Sequence, residues 1–182
     1  MNKSCLVLVL AAAVAAAPAP AAGPYAGSEV ASLTAADVAE LLAGGGWGFA
    51  RPAELNGYPG PRHVLDLAGQ LGLDDSQKVA VSAIFARMNG EARRTGAAYI
   101  EAERAVDQAF RSGRIDGAAL AGLVAEAGRL RGRLRQVHLA AHLETAPILS
   151  PEQRRLYRHL RGYDAGTSGA GHSGPHPGAG HR

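Results

Sequence analysis

His138 and His142 stand one helical turn apart in the chain, so on a helix both imidazoles leave the same face. Two nitrogens at that spacing are how a helix offers a pair of ligands to Zn, Cu, Ni or Co. One helix cannot complete such a site, so a facing element must supply the remaining ligands, and His63 and His159 are the imidazoles at hand. Glu144 falls about 160° round the helix from His142, too far to join. A second reading of the pair is structural: neutral histidines that pack at a helix seam, each with one hydrogen bond, and that respond to pH. His172, His176 and His181 lie in a Gly-, Ser- and Pro-rich stretch. There they read either as weak metal scavengers, because ordering a flexible chain around an ion costs entropy, or as part of a neutral solubilising tail.

The other concentration of chemistry is basic. Arg129, Arg131, Arg133 and Arg135 follow one another at alternate positions, with Arg93 and Arg94 upstream. Arg129 and Arg133 point away from the apolar stripe of their helix and Arg131 flanks it. They form either a solvated face or a basic rim around an apolar surface suited to unfolded chains or an acidic partner. Leu139 and Leu143, with Gly128 and Gly132, fall on a second face of the same helix. This half is therefore apolar on two sides, and something besides one hairpin partner is expected to cover it: a short helix, the segment before residue 62, or a second copy. The paired glycines would also permit close backbone approach, although each Gly costs about 1 kcal/mol against Ala in a helix.

These residues need long helices to position them, and the sequence marks where the helices begin. Leu73-Asp74-Asp75-Ser76-Gln77 and Leu149-Ser150-Pro151-Glu152-Gln153 each place a capping residue after Leu, with Gln three positions beyond the cap. That is a capping box, and Pro151 fits the first helical position of the second copy. From the first box a helix is expected over Asp75 to about Ser112. Its apolar seam runs through Val81, Phe85, Met88, Ala92, Thr95, Tyr99, Ala102, Val106 and Ala109 at alternating four- and three-residue spacing. Ser112-Gly113 breaks it. Asp116 caps a second long helix to about Thr145, with Leu120, Leu123, Ala127, Leu130, Leu134 and Ala141 as its stripe. The two form an antiparallel hairpin. Short helices are expected from Thr34 to Leu42, from His63 to Leu71 and from Ser150 to about Leu160. Trp47–Pro61, rich in Gly, Pro and aromatics, is expected to be an ordered, non-helical wrap. No strand pattern appears, so the fold class is all-α.

The beginning of the chain reads as an address. Lys3, the apolar run Leu6–Ala17 and Ala19-Pro20-Ala21 make a signal peptide over residues 1–21, cleaved near Ala21, and the run is too short to span a bilayer. Cys5, the one cysteine, would leave with it, so no disulfide or thiolate chemistry is expected in an exported protein. Residues 22–62 then carry the short helix and the wrap, 63–163 the helical hairpin, and 164–182 a disordered tail. The net charge of +3 is too mild to indicate nucleic acid. With three Phe, one Trp and abundant Ala and Gly, the core buries little area per residue, which favours a homodimer. No G-x-S-x-G, H-E-x-x-H or phosphate loop is present, so no enzyme is expected.

A signal segment, an all-helical domain and two Leu-x-x-x-Gln helix starts flanking a hairpin resemble the Spy/CpxP family of periplasmic proteins, over roughly residues 63–163. That family's signature is Leu-Thr-x-x-Gln; Asp74 and Ser150 stand here in place of the Thr. The resemblance implies a cradle-like helical dimer in the envelope-stress response that binds unfolded clients or the periplasmic domain of a sensor kinase and requires no cofactor. It also implies relatives that sense heavy metals through helical histidines. The function expected is thus non-enzymatic binding of clients or a sensor partner. The alternatives are a metal sensor or scavenger built on His138 and His142, and a structural envelope protein.

Overall fold

A computed structural model describes residues 30–163. The expected signal segment and the tail with His172, His176 and His181 lie outside the described residues. Within them the protein is all helical, with no strand. The order is α1 (Ala35–Ala43), α2 (Arg51–Leu55), α3 (Pro61–Asp66), α4 (Asp75–Arg111), α5 (Gly117–Thr145), a 3-10 turn at Ala146–Ile148, and α6 (Pro151–Leu160).

The hairpin of α4 and α5 is the frame. At 1.5 Å per residue α4 runs for about 55 Å. It starts where the Asp74 side chain accepts from the Gln77 amide, and it gives way to Gly113, whose φ of 64° turns the chain. Asp116 then caps α5 by accepting from the Ala119 amide at 2.8 Å. Val81, Met88, Ala92, Thr95 and Tyr99 of the expected seam are buried, joined by Ile84 and Ile100. On α5 the stripe of Ala127, Leu130, Leu134 and Ala141 is buried together with Val137. Toward the tip no third layer is present among the described residues, and Val106, Ala109, Leu120 and Leu123 are only half-buried.

Third-layer elements cover the other end. Helix α1 crosses α4 so closely that a Cβ on Gly96 would stand 2.6 Å from the Leu41 carbonyl oxygen; Gly at 96 is what lets the two backbones meet. Val30, Leu33 and Leu41 share one core with the hairpin. A second core at the base gathers Val64, Leu71, Leu73, Val81, Leu149 and Tyr157. The Leu of each Leu-x-x-x-Gln stretch lies in this base core.

The Gln residues of the two stretches meet as well. Gln77 Nε2 donates to Gln153 Oε1 at 2.8 Å, and Gln153 Nε2 donates to Gln77 Oε1 at 3.0 Å. Each Gln keeps its capping role, accepting from its own cap backbone amide at 3.2 and 2.9 Å. Gln77 also donates to the Ile148 carbonyl at 2.8 Å. The two helix starts are thereby clasped to each other.

Two expectations are corrected. The Trp47–Pro61 segment is ordered but not free of helix, because α2 occupies Arg51–Leu55; Pro52 stands in its first turn, where a missing N–H breaks no intrahelical bond. The helix expected over His63–Leu71 is shorter, Pro61–Asp66, and the chain reaches Gly72 through turns. Among the described residues no helix is long and apolar enough to cross a membrane.

Candidate functional site

A cleft of about 630 Å³ opens where α2, α3 and the glycine run after α1 face the hairpin, and both His138 and His142 line it, with Glu54 and His63 opposite. The two histidines come from the buried face of α5, 3% and 6% exposed. Their shared face follows from the helical turn between them.

His142 is oriented by the segment before α3. Its Nδ1 lies 2.8 Å from the Tyr58 carbonyl oxygen. A carbonyl only accepts, so Nδ1 carries the proton and the lone pair of the neutral ring is on Nε2. That nitrogen borders a small space under Gly60: a Cβ there would stand 2.9 Å from His142 Nε2 and 3.0 Å from Glu54 Oε1. Only glycine leaves the space open between imidazole and carboxylate.

Glu54 is the pivot of the opposite wall. Although only 8% exposed, it accepts from the Tyr157 hydroxyl at 2.9 Å on Oε1 and 2.7 Å on Oε2. It also pairs with His63 Nδ1 at 3.1 Å. Burial and the Glu54 carboxylate together push the Tyr157 phenol well up, so it stays a donor. His138 is different: its Nε2 is buried without a hydrogen-bond partner among the described residues. Burial first, and then the neighbouring His142, hold its ring below the usual histidine range, while the Gly45 backbone and the charge of Glu40 act the other way. A neutral, underused imidazole nitrogen in a cleft is a metal-competent group.

Nitrogen and carboxylate donors of this kind suit Zn, Cu, Ni or Co. The orphaned His138 nitrogen and the open cradle at Gly60 both fit an ion held between the hairpin and the α2–α3 segment. The donors are not closed around a point: among the described residues no group of three or more His, Cys, Asp or Glu is placed to hold a metal. Binding would require Glu54 or His63 to turn from its present partner.

The remaining expected residues are distributed elsewhere. His159 is exposed on α6 and does not line this cleft. Glu144 pairs with Arg87 on the outer face. Arg129 forms two bonds to Glu126, at 2.8 and 2.7 Å, and Arg133 reaches Gln136 and Glu91. Arg131 lies over the Trp47 and Phe49 rings, its Cζ 5.7 and 6.0 Å from their centroids, and Arg135 is exposed. Leu139 is half-buried, whereas Leu143 is 60% exposed, so the described residues leave the second face of α5 partly open. Among the described residues nothing approaches Gly128 or Gly132 closely. Asp74 caps α4 as described above, and the Ser150 hydroxyl caps α6 by accepting from the Gln153 amide at 3.1 Å.

Glu54, Tyr157 and Gly60 escape a reading of the sequence. Glu54 is the one carboxylate in a Pro- and Gly-rich stretch with aromatic neighbours, and a lone acid in such company is the only hint of burial. Its hydroxyl partner is 103 positions away.

A family model described as heavy-metal resistance matches residues 5–155. No curated protein and no solved structure matches the chain.

Proposed function

The chain belongs to the heavy-metal resistance family, a Spy/CpxP-like helical group, and we propose that it serves that role by binding a borderline transition-metal ion in the periplasm. The ligands are His138 and His142 of α5 and Glu54 of α2, with His63 beside them. The observation that carries this reading is the buried His138 Nε2, which has no hydrogen-bond partner among the described residues, on a residue that lines the same cleft as His142 and Glu54. The Tyr58 carbonyl holds the His142 tautomer that leaves Nε2 bare, the kind of outer contact that orients metal-binding imidazoles. His138, with its lowered pKa, competes less with protons for its lone pair than an exposed histidine would. No catalytic step is assigned to the cleft.

Elemental analysis of the dialysed full chain after loading with Zn or Cu tests this. The wild type should retain stoichiometric metal. His142→Ala should bind about tenfold more weakly or worse, roughly 1.4 kcal/mol, with an unchanged helical circular-dichroism spectrum. Replacing His172, His176 and His181 together by Ala should leave the retained ion in place. Equal retention by wild type and His142→Ala sinks the proposal.

A second reading has its own support. Val124, 52% exposed, and Leu143, 60% exposed, lie on the same outer face of α5 as Gly128, Gly132 and half-buried Leu139. Such a face suits a second copy of the chain, an unfolded client or a sensor domain. Mass determination and suppression of client aggregation by the metal-free protein separate these from metal binding alone.

A further inference from the structure

The four arginines of α5 are not equivalent, and the difference defines a second cleft. Arg129 and Arg133 have Glu126 and Glu91 as partners. Arg131 and Arg135 have no carboxylate partner among the described residues, and both line a shallow cleft of about 500 Å³ beside Trp47. Its other walls are Trp47, Gly48, Phe49 and Pro52, and its floor is Gly128 and Gly132. Among the described residues no acidic side chain lines it.

Each part of this surface has a physical consequence. On a helix Gly128, Arg131, Gly132 and Arg135 share one face, so two guanidinium groups one turn apart flank a strip of bare backbone. The space above both glycines is open. Arg131 lies within cation–π range of the Trp47 and Phe49 rings, and a guanidinium there can donate two parallel N–H bonds to a carboxylate. Trp47 is itself held firmly: its indole Nε1 donates to Asp37 and its backbone N–H to Glu40, both at 2.7 Å. This is so although its φ is 42°, in the left-handed region that a bulky residue seldom enters. The volume falls within the usual range of about 300–1,000 Å³ for a small-molecule site, and its lining sets two guanidinium groups and exposed backbone beside aromatic rings.

We infer that this cleft binds a small organic dicarboxylate, one carboxylate on Arg131 and the other on Arg135, with its apolar middle lying on Gly128 and Gly132 against Trp47 and Phe49. The inference is independent of the metal site, since no residue proposed as a metal ligand lines this cleft.

Trp47 is the only tryptophan of the chain, so its fluorescence reports on this cleft directly. The full-length protein at low salt, titrated with adipate, should show a saturable change, with a dissociation constant on the order of 1 mM for exposed charge pairs. Hexanoate, with one carboxylate, and hexane diamine, with the opposite charge, should bind about tenfold more weakly or not at all. Arg135→Gln, which does not touch the indole, should lose about tenfold or more in adipate affinity. Arg129→Gln, paired outside the cleft, should bind as the wild type does, and both variants should keep the wild-type circular-dichroism spectrum. Four results would overturn the inference. They are a non-saturable response to adipate, an equal response to hexanoate, undiminished binding by Arg135→Gln, and tighter binding of the peptide Ala-Glu-Ala-Glu-Ala than of adipate. The last would make the surface a protein-docking face.

Discussion

Glu54 sits on a five-residue helix yet is held from two other elements, by His63 of α3 and Tyr157 of α6. A buried carboxylate is tolerable only while its oxygens are satisfied. Tyr157→Phe removes the hydroxyl that serves both oxygens and should cost about 1–3 kcal/mol, read as a lower urea midpoint with an unchanged slope. Glu54→Gln keeps a hydrogen-bonding group in the same space and should cost less. A Tyr157→Phe variant as stable as the wild type would mean that Glu54 is reached by water. His142 shows how far residue types alone go. Its helical turn from His138 is legible in the sequence, whereas the carbonyl that sets its tautomer comes from Tyr58, a residue with no mark of that role.

At the scale of elements, the two Leu-x-x-x-Gln stretches do more than start helices. Each places its Leu in the base core and its Gln in both a capping box and the clasp between α4 and α6. If the clasp matters beyond the caps, Gln77→Ala and Gln153→Ala should not be additive. A double-mutant cycle should give a coupling of about 0.5–3 kcal/mol by urea unfolding. Two independent caps, each worth about 1 kcal/mol, would give none. The caps were readable because a box is a local pattern. The clasp joins residues 76 positions apart, and no spacing rule brings them together. Helix α2 escaped for the opposite reason: Pro52 reads as a breaker until its place in the first turn is known.

Across the whole molecule, stability is unevenly spread. The base of the hairpin has three layers and two cores, while the tip has two helices with half-buried contacts, so local opening should start near Ser112. Tyr99 lies in the covered region, where burial, aided by a hydrogen bond and the charge of Glu103, raises its phenol to about 12 from the ordinary 10.0. The folded state therefore favours the protonated ring more than the unfolded state does. That contribution is complete below pH 10 and is lost as the pH rises through about 12. It is on the order of 2–3 kcal/mol. Unfolding midpoints measured between pH 9 and 12 should fall less steeply for Tyr99→Phe than for the wild type. Parallel curves would mean that the phenol ionises within the folded protein.

Sequence by itself determined the all-α class, the hairpin with its caps and the buried stripes, because each rests on periodicity and capping within a few residues. It also placed His138 and His142 on one helix face. Only the tertiary structure decided what stands opposite them: Glu54, the Tyr58 carbonyl and the gap at Gly60, delivered by a segment more than 80 positions away from His142. It likewise divided the arginines of α5 into two that are neutralised and two that face an aromatic wall. Those outcomes depend on where α1, α2 and the Trp47 turn dock on the hairpin, and docking is set by side-chain packing between distant parts of the chain, which no local spacing records.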